Sequence, residues 1–337
     1  MMNSKIPPLV VTLLAIVTMV PTAAAAGAAE FDNGTAMSGI ERITFMSFIG
    51  IGLMFLATAF FLFMERNDVA RRHRPVVGIS VMIVGIAGVQ YLLMQDVFAT
   101  EPGALPTDFR YADWITTVPL MAVSFAVLAG KESYTERRLF SLPGMSVPGI
   151  IIVGSLFMMA SGYLGQVELD QALAAGVDPN PIHWYFFFQG CVGYLTVFMI
   201  VGTPFTGAYG IDDDKIKDPA IAETMARLRR LVSIGWLIYP AGYVIGALEL
   251  GGVDGAAAMM LTYNLADLVN KLAFVIIILV GCRATEEAMQ IYNGQEPTIK
   301  VAAPEGSVQD TPSSSALLEL AALSQKATES PDLSGEF

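Results

Sequence analysis

Long apolar stretches alternate with short polar segments along most of the chain. After an apolar N-terminal segment, seven stretches are each long enough for a membrane helix, which needs about 20 apolar residues to cross the hydrocarbon layer. These stretches are residues 43–63, 75–98, 109–129, 147–166, 183–202, 228–250 and 256–282. The pattern predicts an all-α membrane protein with a seven-helix bundle within residues 38–290.

The composition agrees with this prediction. The chain is 54% hydrophobic and 15% charged, whereas soluble domains carry roughly 25% charged residues. Its formal net charge of −12 argues against nucleic acid as a partner, because a phosphate backbone is bound by basic surfaces. We therefore expect membrane lipid around the bundle.

The two ends of the chain differ from the bundle. Residues 1–26 combine a weakly basic start, an apolar core and small residues suited to cleavage. This pattern is typical of a signal peptide, with an uncleaved extra helix as the alternative. Residues 291–337 are rich in Ser, Ala, Glu and Pro, which predicts a disordered cytoplasmic tail.

Among the loops that connect the stretches, lysine and arginine occur only in alternate ones. They follow the first, third and fifth stretches, and none lies between the second and third, fourth and fifth, or sixth and seventh. Because basic residues collect on the cytoplasmic side, the pattern predicts an N-terminus outside and a C-terminus in the cytoplasm. We expect a multi-pass protein of the inner (plasma) membrane.

Lys271 lies in the last apolar stretch. A lysine near the centre of a membrane helix costs about 2.5–3.5 kcal/mol on insertion scales, so it needs a partner or a role. Asp267 lies one turn earlier on the same helix face. The two side chains could form a structural ion pair, or the amine could anchor an aldehyde chromophore as a Schiff base.

A polar stripe runs along one face of the third predicted helix. Its members recur at spacings of three and four and are Arg110, Asp113, Thr117, Met121 and Ser124. Ionisable groups within the membrane are expected to face the bundle interior, although Arg110 could instead snorkel to the interface. Together with Lys271, the stripe predicts a buried charge cluster. If the cation there is moved away from Asp113, a proton should pass from the cation to the carboxylate. A static structural network is the alternative.

The sixth stretch carries an aromatic face. Trp236, Tyr239 and Tyr243 follow helical spacing, and Pro240 predicts a kink that a membrane bundle tolerates. Such a face is by itself more often core packing than a cofactor site. Combined with Trp114 and the lysine, it is typical of walls around a flat, elongated ligand.

These segments resemble the microbial rhodopsins, and most closely the proteorhodopsins. The motifs are RYADW at 110–114, TVPL at 117–120, Trp236 with Tyr239-Pro240, YNLAD at 263–267 and NK at 270–271. The resemblance covers residues 43–282. It implies all-trans retinal bound covalently to Lys271 as a protonated Schiff base.

The resemblance also implies roles for individual residues. Asp113 would be the primary counterion and proton acceptor, and Asp267 the second counterion. Thr117 would hydrogen-bond near Asp113, and Arg110 would tune the extracellular side. Wall residues would be Trp114, Met121, Met158, Trp236, Tyr239, Pro240 and Tyr243, with Gly162, Gly190 and Cys191 near the ring of the chromophore.

The chain departs from the family pattern at two positions. Ser124 stands where proteorhodopsins usually carry a carboxylate proton donor, and its hydroxyl can only relay a proton. Gln90 stands where they often carry a histidine that contacts the counterion. Met121 occupies the spectral tuning position, where an apolar side chain predicts green rather than blue absorption. Phe187 stands where members that bind an antenna carotenoid have glycine, so we expect none.

The resemblance implies a light-driven outward proton pump, an ion transporter rather than an enzyme. It also implies a homo-oligomer, a pentamer or hexamer. A sensory photoreceptor that signals through a partner is the alternative, favoured by the missing donor and the long tail. A retinal-independent transporter would leave the lysine, both aspartates and the aromatic face unexplained.

Overall fold

A computed structural model describes residues 37–100, 105–134, 146–203, 210–248 and 255–292. All of them belong to one compact unit, residues 1–295. The predicted signal peptide lies outside the described residues. So does the predicted tail from residue 293 onward.

The described part of the chain is helical and forms seven rods. Its α-helices are α1 Gly39–Glu65, α2 Arg74–Thr100, α3 Thr107–Ala129, α4 Val147–Ala175, α5 Ile182–Val201, α6 Pro219–Gly235, α7 Ile238–Ala247, α8 Gly255–Asp267 and α9 Ala273–Tyr292. Helices α6 and α7 make the sixth rod, and α8, a π turn at Leu268–Leu272 and α9 make the seventh. Short 3-10 turns lie at Arg66–Asp68, Lys131–Ser133 and Asp213–Lys215. The seven-helix prediction is confirmed.

Several helices extend beyond the apolar stretches that predict them. Helix α4 continues to Ala175, α6 begins at Pro219 and α9 continues to Tyr292. Polar residues can continue a helix into water, so hydrophobicity marks the membrane-crossing part and not the helix end. Local signals set the ends instead. The side chain of Asp218 accepts the amide of Ala220 at 3.0 Å and caps α6.

The sixth rod is broken rather than continuous. The sequence predicts one helix over residues 228–250, kinked by Pro240, but α6 ends at Gly235 and α7 begins at Ile238. Proline lacks an amide hydrogen, and its ring clashes with the carbonyl four residues earlier, here that of Trp236. The interruption therefore falls one turn before the proline. Residues 249 and 250 lie outside the described residues.

The outer surface of the bundle is apolar. By length and composition, six uninterrupted helical segments of the described residues could cross a membrane, and the broken sixth rod is not among them. Large apolar side chains point outward on several rods, including Phe60, Phe188 and Ile234, each more than 60% exposed. In water such a surface would be costly, whereas in lipid it is expected. The chain is a multi-pass membrane protein.

Candidate functional site

The centre of the bundle holds a buried ion-pair cluster. Lys271, in the π turn of the seventh rod, is 1% exposed, and its Nζ pairs with Oδ2 of Asp113 from α3. The same Nζ lies 3.1 Å from Oδ2 of Asp267, one turn earlier. Neither carboxylate is exposed. The structure therefore brings together the amine and the two carboxylates that the sequence places on separate segments.

Three neutral donors hold Asp267 in addition to the lysine. The hydroxyl of Tyr239 and the indole Nε1 of Trp114 donate to Oδ1 at 2.7 and 3.1 Å. The hydroxyl of Tyr91 donates to Oδ2 at 3.0 Å. Donors aimed at a carboxylate stabilise its ionised form. Both oxygens of Asp267 thus have hydrogen-bond donors.

Asp113 has fewer partners. Its Oδ2 accepts from Lys271, and its Oδ1 has no hydrogen-bond partner in the part of the chain that the structure describes. The hydroxyl of Thr117 donates to the main-chain carbonyl of Asp113 at 3.0 Å. Thr117 therefore supports the backbone that carries the carboxylate. The unsatisfied Oδ1 makes Asp113 the member of the pair with room to accept a proton.

Arg110 points into the bundle and does not snorkel. Its side chain is 1% exposed, and Nη2 donates to Oδ1 of Asn264 at 2.7 Å. Among the described residues, its Nε and Nη1 find no hydrogen-bond partner. The guanidinium carbon lies 5.5–5.8 Å from the ring centres of Phe48, Tyr91, Trp114 and Tyr263. This aromatic cage holds the charge by cation–π attraction and leaves two donors free.

Helix α2 contributes a residue that the sequence analysis missed. The sequence singles out Gln90 on this helix, but its neighbour Tyr91 is the residue that donates to Asp267. The Oε1 of Gln90 is buried and has no partner within the described ranges. A tyrosine in an apolar helix gives no distinct signal, because most such residues are core.

Ser124 lies on the other side of the lysine from Arg110. It is fully buried, and its hydroxyl donates to the carbonyl of Leu120 at 2.8 Å. Eleven residues separate it from Asp113, about 16 Å along a helix. A neutral hydroxyl at this depth can pass a proton between partners but cannot store an acidic one.

An apolar cavity of about 430 Å³ lies beside the charge cluster. Its volume falls within the range of about 300–1,000 Å³ usual for small-molecule sites. All the residues proposed as walls or as neighbours of the chromophore ring line it: Trp114, Met121, Met158, Gly162, Gly190, Cys191, Trp236, Tyr239, Pro240 and Tyr243. The sequence analysis did not include Tyr111, Val118, Met159, Tyr194, Leu195, Leu237 and Tyr263, which also line it, and Phe187 lines it as well.

The cavity adjoins the amine through shared side chains. Lys271 itself is not a lining residue, but Trp114 and Tyr239 line the cavity and both donate to Asp267. Asp267 in turn contacts Nζ of Lys271. An elongated apolar aldehyde in the cavity would therefore have its polar end toward the amine. The apolar walls and the buried amine suit a retinal-type chromophore.

Asn270 joins the two irregular helices at the site. Its Nδ2 donates to the carbonyl of Gly235 at 2.8 Å and to that of Ala266 at 2.9 Å. The Gly235 carbonyl lies at the break in the sixth rod. There the amide of Tyr239 donates to the carbonyl of Trp236 instead of to that of Gly235. A Cβ on Gly235 would lie 2.0 Å from Oδ1 of Asn270, so a larger residue there would displace the Asn270 side chain. One side chain thus links the π turn that holds the lysine to the helix break at the cavity.

The fold and site define a seven-helix membrane protein with a cofactor-sized apolar cavity next to a buried amine. The model of the family described as bacteriorhodopsin-like protein matches residues 41–285. The chain therefore belongs to the bacteriorhodopsin-like family of rhodopsins.

Two relatives and one solved structure illustrate the relationship. The chain is 32% identical over 235 residues to the green-light absorbing proteorhodopsin of Gamma-proteobacterium EBAC31A08, covering 70% of this chain and 84% of that protein. It is 34% identical over 223 residues to the blue-light absorbing proteorhodopsin of Gamma-proteobacterium Hot 75m4, covering 66% and 79%. The crystal structure of Exiguobacterium sibiricum rhodopsin aligns with a TM-score of 0.59 at 24% identity, covering 73% of this chain and 98% of that one. That last likeness shows the shared fold.

Proposed function

We propose that the protein is a light-driven outward proton pump with all-trans retinal attached to Lys271. Attachment would join Nζ to the aldehyde carbon as a protonated Schiff base, and the aldehyde oxygen would leave as water. Bound retinal would supply light absorption and isomerisation. The chain's own residues bind it, hold the charge on Nζ and move the proton.

The observation that carries the proposal is the unequal satisfaction of the two carboxylates beside Nζ. Asp267 accepts three hydrogen bonds from neutral donors, whereas Oδ1 of Asp113 has no partner within the described residues. Protonating Asp267 would weaken those three bonds. Protonating Asp113 would weaken only its contact with Nζ, and that contact ends in any case when Nζ gives up its proton. We therefore assign Asp113 as the proton acceptor and Asp267 as the lasting counterion.

The position of Asp113 along α3 supports the outward direction. It lies in the N-terminal half of the helix, near the segment between α2 and α3 that lacks Lys and Arg. By the distribution of basic residues this end faces outward. Arg110 lies on this side of the cluster. Ser124 lies on the cytoplasmic side, from which Nζ must regain its proton through water.

The attachment is tested by colour. Lys271→Ala, expressed in full length and supplied with retinal, should give a protein without the visible band. Lys217→Ala, which removes a lysine outside the bundle centre, should keep it. A full visible band in Lys271→Ala would contradict the attachment site.

The acceptor is tested by flash spectroscopy. In the unmodified protein a flash should deprotonate Nζ, seen as a blue shift of the visible band. Asp113→Asn removes the acceptor and should abolish this shift, whereas Asp96→Asn, a substitution of an aspartate on another helix, should not. Persistence of the shift in Asp113→Asn would exclude Asp113 as acceptor. Net proton transport distinguishes a pump from a sensory photoreceptor, because a sensor need not change the pH of the medium.

A further inference from the structure

We propose that the cavity is loaded from the membrane, through a lateral opening between the fifth and sixth rods that Leu195 and Leu237 close. The inference rests on the retinal site proposed above and adds the route by which retinal reaches it. Leu195 lies on α5, and Leu237 lies in the break between α6 and α7. Both leucines line the cavity.

The wall of the cavity is one side chain thick at these two leucines. Leu195 is 56% exposed and Leu237 is 54% exposed on the outer surface of the bundle. Every other described residue that lines the cavity is buried or half-buried. A side chain that both lines a cavity and lies on the outer surface has the cavity on one side and lipid on the other. Displacement of the two leucines would therefore open the cavity to the membrane.

Aromatic contacts join the two rods on either side of the leucines. The rings of Phe198 and Trp236 stack with their centres 6.2 Å apart, and the rings of Phe187 and Tyr243 stack at 5.0 Å. On both rods, the leucine lies between these two contacts in the sequence. The stacked pairs thus hold the rods together, while the stretch between the pairs is closed by side chains that form no hydrogen bonds.

The backbone at Leu237 is outside the regular helical ladder. Its amide donates to the carbonyl of Ile234 at 3.2 Å, three residues earlier rather than four. This bond lies within the break that separates α6 from α7. A segment with fewer regular hydrogen bonds opens locally at a lower free-energy cost than the middle of a continuous helix. Leu237 is therefore placed where the sixth rod can yield.

Other walls of the cavity are held by polar contacts. The hydroxyl of Tyr243 donates to the carbonyl of Gly165 at 3.1 Å, and that of Tyr263 donates to Gln166 at 2.9 Å. Retinal is a long apolar aldehyde, so it collects in lipid rather than in water. Entry through these walls would break buried hydrogen bonds, which is costly. Entry between the two leucines displaces apolar side chains only.

The place of the opening also sets the direction of entry. Nζ of Lys271 contacts carboxylates of α3 and of the seventh rod, whereas the opening lies between the fifth and sixth rods. Cys191, expected near the chromophore ring, lies one turn before Leu195 on α5. The aldehyde end must therefore enter first, and the ring passes the leucines last.

The test measures the rate of loading. All-trans retinal is added to membranes that contain the full-length protein expressed without it, and growth of the visible band is followed. Leu195→Ala and Leu237→Ala thin the wall, so each should raise the rate several-fold and reach the same final band. Leu237→Trp thickens the wall and should lower the rate. Met199→Ala and Ile234→Ala are the matched controls, because they trim exposed side chains of the same rods that do not line the cavity; their rates should equal that of the unmodified protein.

The outcomes separate the route from the retinal site. Rates in both alanine variants equal to the unmodified rate would overturn the lateral route, and so would equal acceleration in the controls. If an alanine variant forms no band, the smaller change Leu195→Val or Leu237→Val should still accelerate loading, and an unchanged rate would equally refute the proposal. An unmodified protein that forms no band would overturn retinal binding itself, and the route with it.

Discussion

Asn270 offers the sharpest test of how the sixth and seventh rods depend on each other. Its amide donates to two main-chain carbonyls, those of Gly235 and Ala266. Asn270→Leu keeps the approximate volume of the side chain and removes both bonds. No water can replace them, because Asn270 is fully buried within a membrane bundle.

The expected loss follows from the number of bonds. Hydrogen bonds between membrane helices contribute about 0.6 kcal/mol on average and about 1.7 kcal/mol at most. Two bonds therefore give about 1–3 kcal/mol for Asn270→Leu. We expect the upper half of this range, since the Gly235 carbonyl also lacks its usual helical partner at the break.

The assay is reversible unfolding of the retinal-loaded protein in denaturing detergent, followed by the visible band. Thr262→Val is the matched control. It removes a hydroxyl that bonds the carbonyl of Ala258 within α8 at 2.8 Å, and that carbonyl keeps its helical amide, so about 0.5 kcal/mol or less is expected. A loss in Asn270→Leu no larger than in the control would refute the view that Asn270 bridges the break and the π turn.

Three further predictions concern the proton supply, the colour and the stability of the bundle near His73. Return of the proton to Nζ should slow as cytoplasmic pH rises, and Ser124→Glu should accelerate it and weaken that dependence; return that is independent of pH in the unmodified protein would point to another donor. The unmodified protein should absorb green light, and Met121→Gln should shift the maximum to shorter wavelength; an unmodified maximum in the blue would contradict this. Burial lowers the pKa of His73 below its ordinary 6.5, with Arg72 adding to the effect and Asp218 and Glu286 opposing it. The stability from neutral His73 is thus present above its unfolded pKa and lost as pH falls, so thermal stability should drop more between pH 7 and 5 in the unmodified protein than in His73→Gln; equal drops would refute it.

The sequence predicts the charged part of the site because charge is conspicuous in an apolar helix. Lys271 and Asp267 share a helix face at a spacing of four, and Asp113 stands out in the third stretch. Each is costly in a membrane unless paired. Pairing between them is therefore a strong expectation from the sequence alone, and the contacts in the structure agree with it.

The neutral part of the site is much harder to predict. Tyr91 and Tyr263 look like ordinary residues of apolar helices. The hydroxyl of Tyr91 donates to Asp267 and that of Tyr263 to Gln166, so these contacts depend on how the second, fourth and seventh rods pack. The π turn around Lys271 has no marker comparable to proline. The break at Trp236 is marked by Pro240, but its displacement by one turn follows from the backbone clash and not from the apolar pattern.

Net proton movement under light tests the central claim most directly. Cells that express the full chain with retinal are illuminated in unbuffered medium while external pH is recorded. The proton pump proposed here predicts acidification that a protonophore abolishes and that Asp113→Asn lacks. Alkalinisation that a protonophore removes would mean inward transport, and a coloured protein that leaves the pH unchanged would contradict pumping altogether.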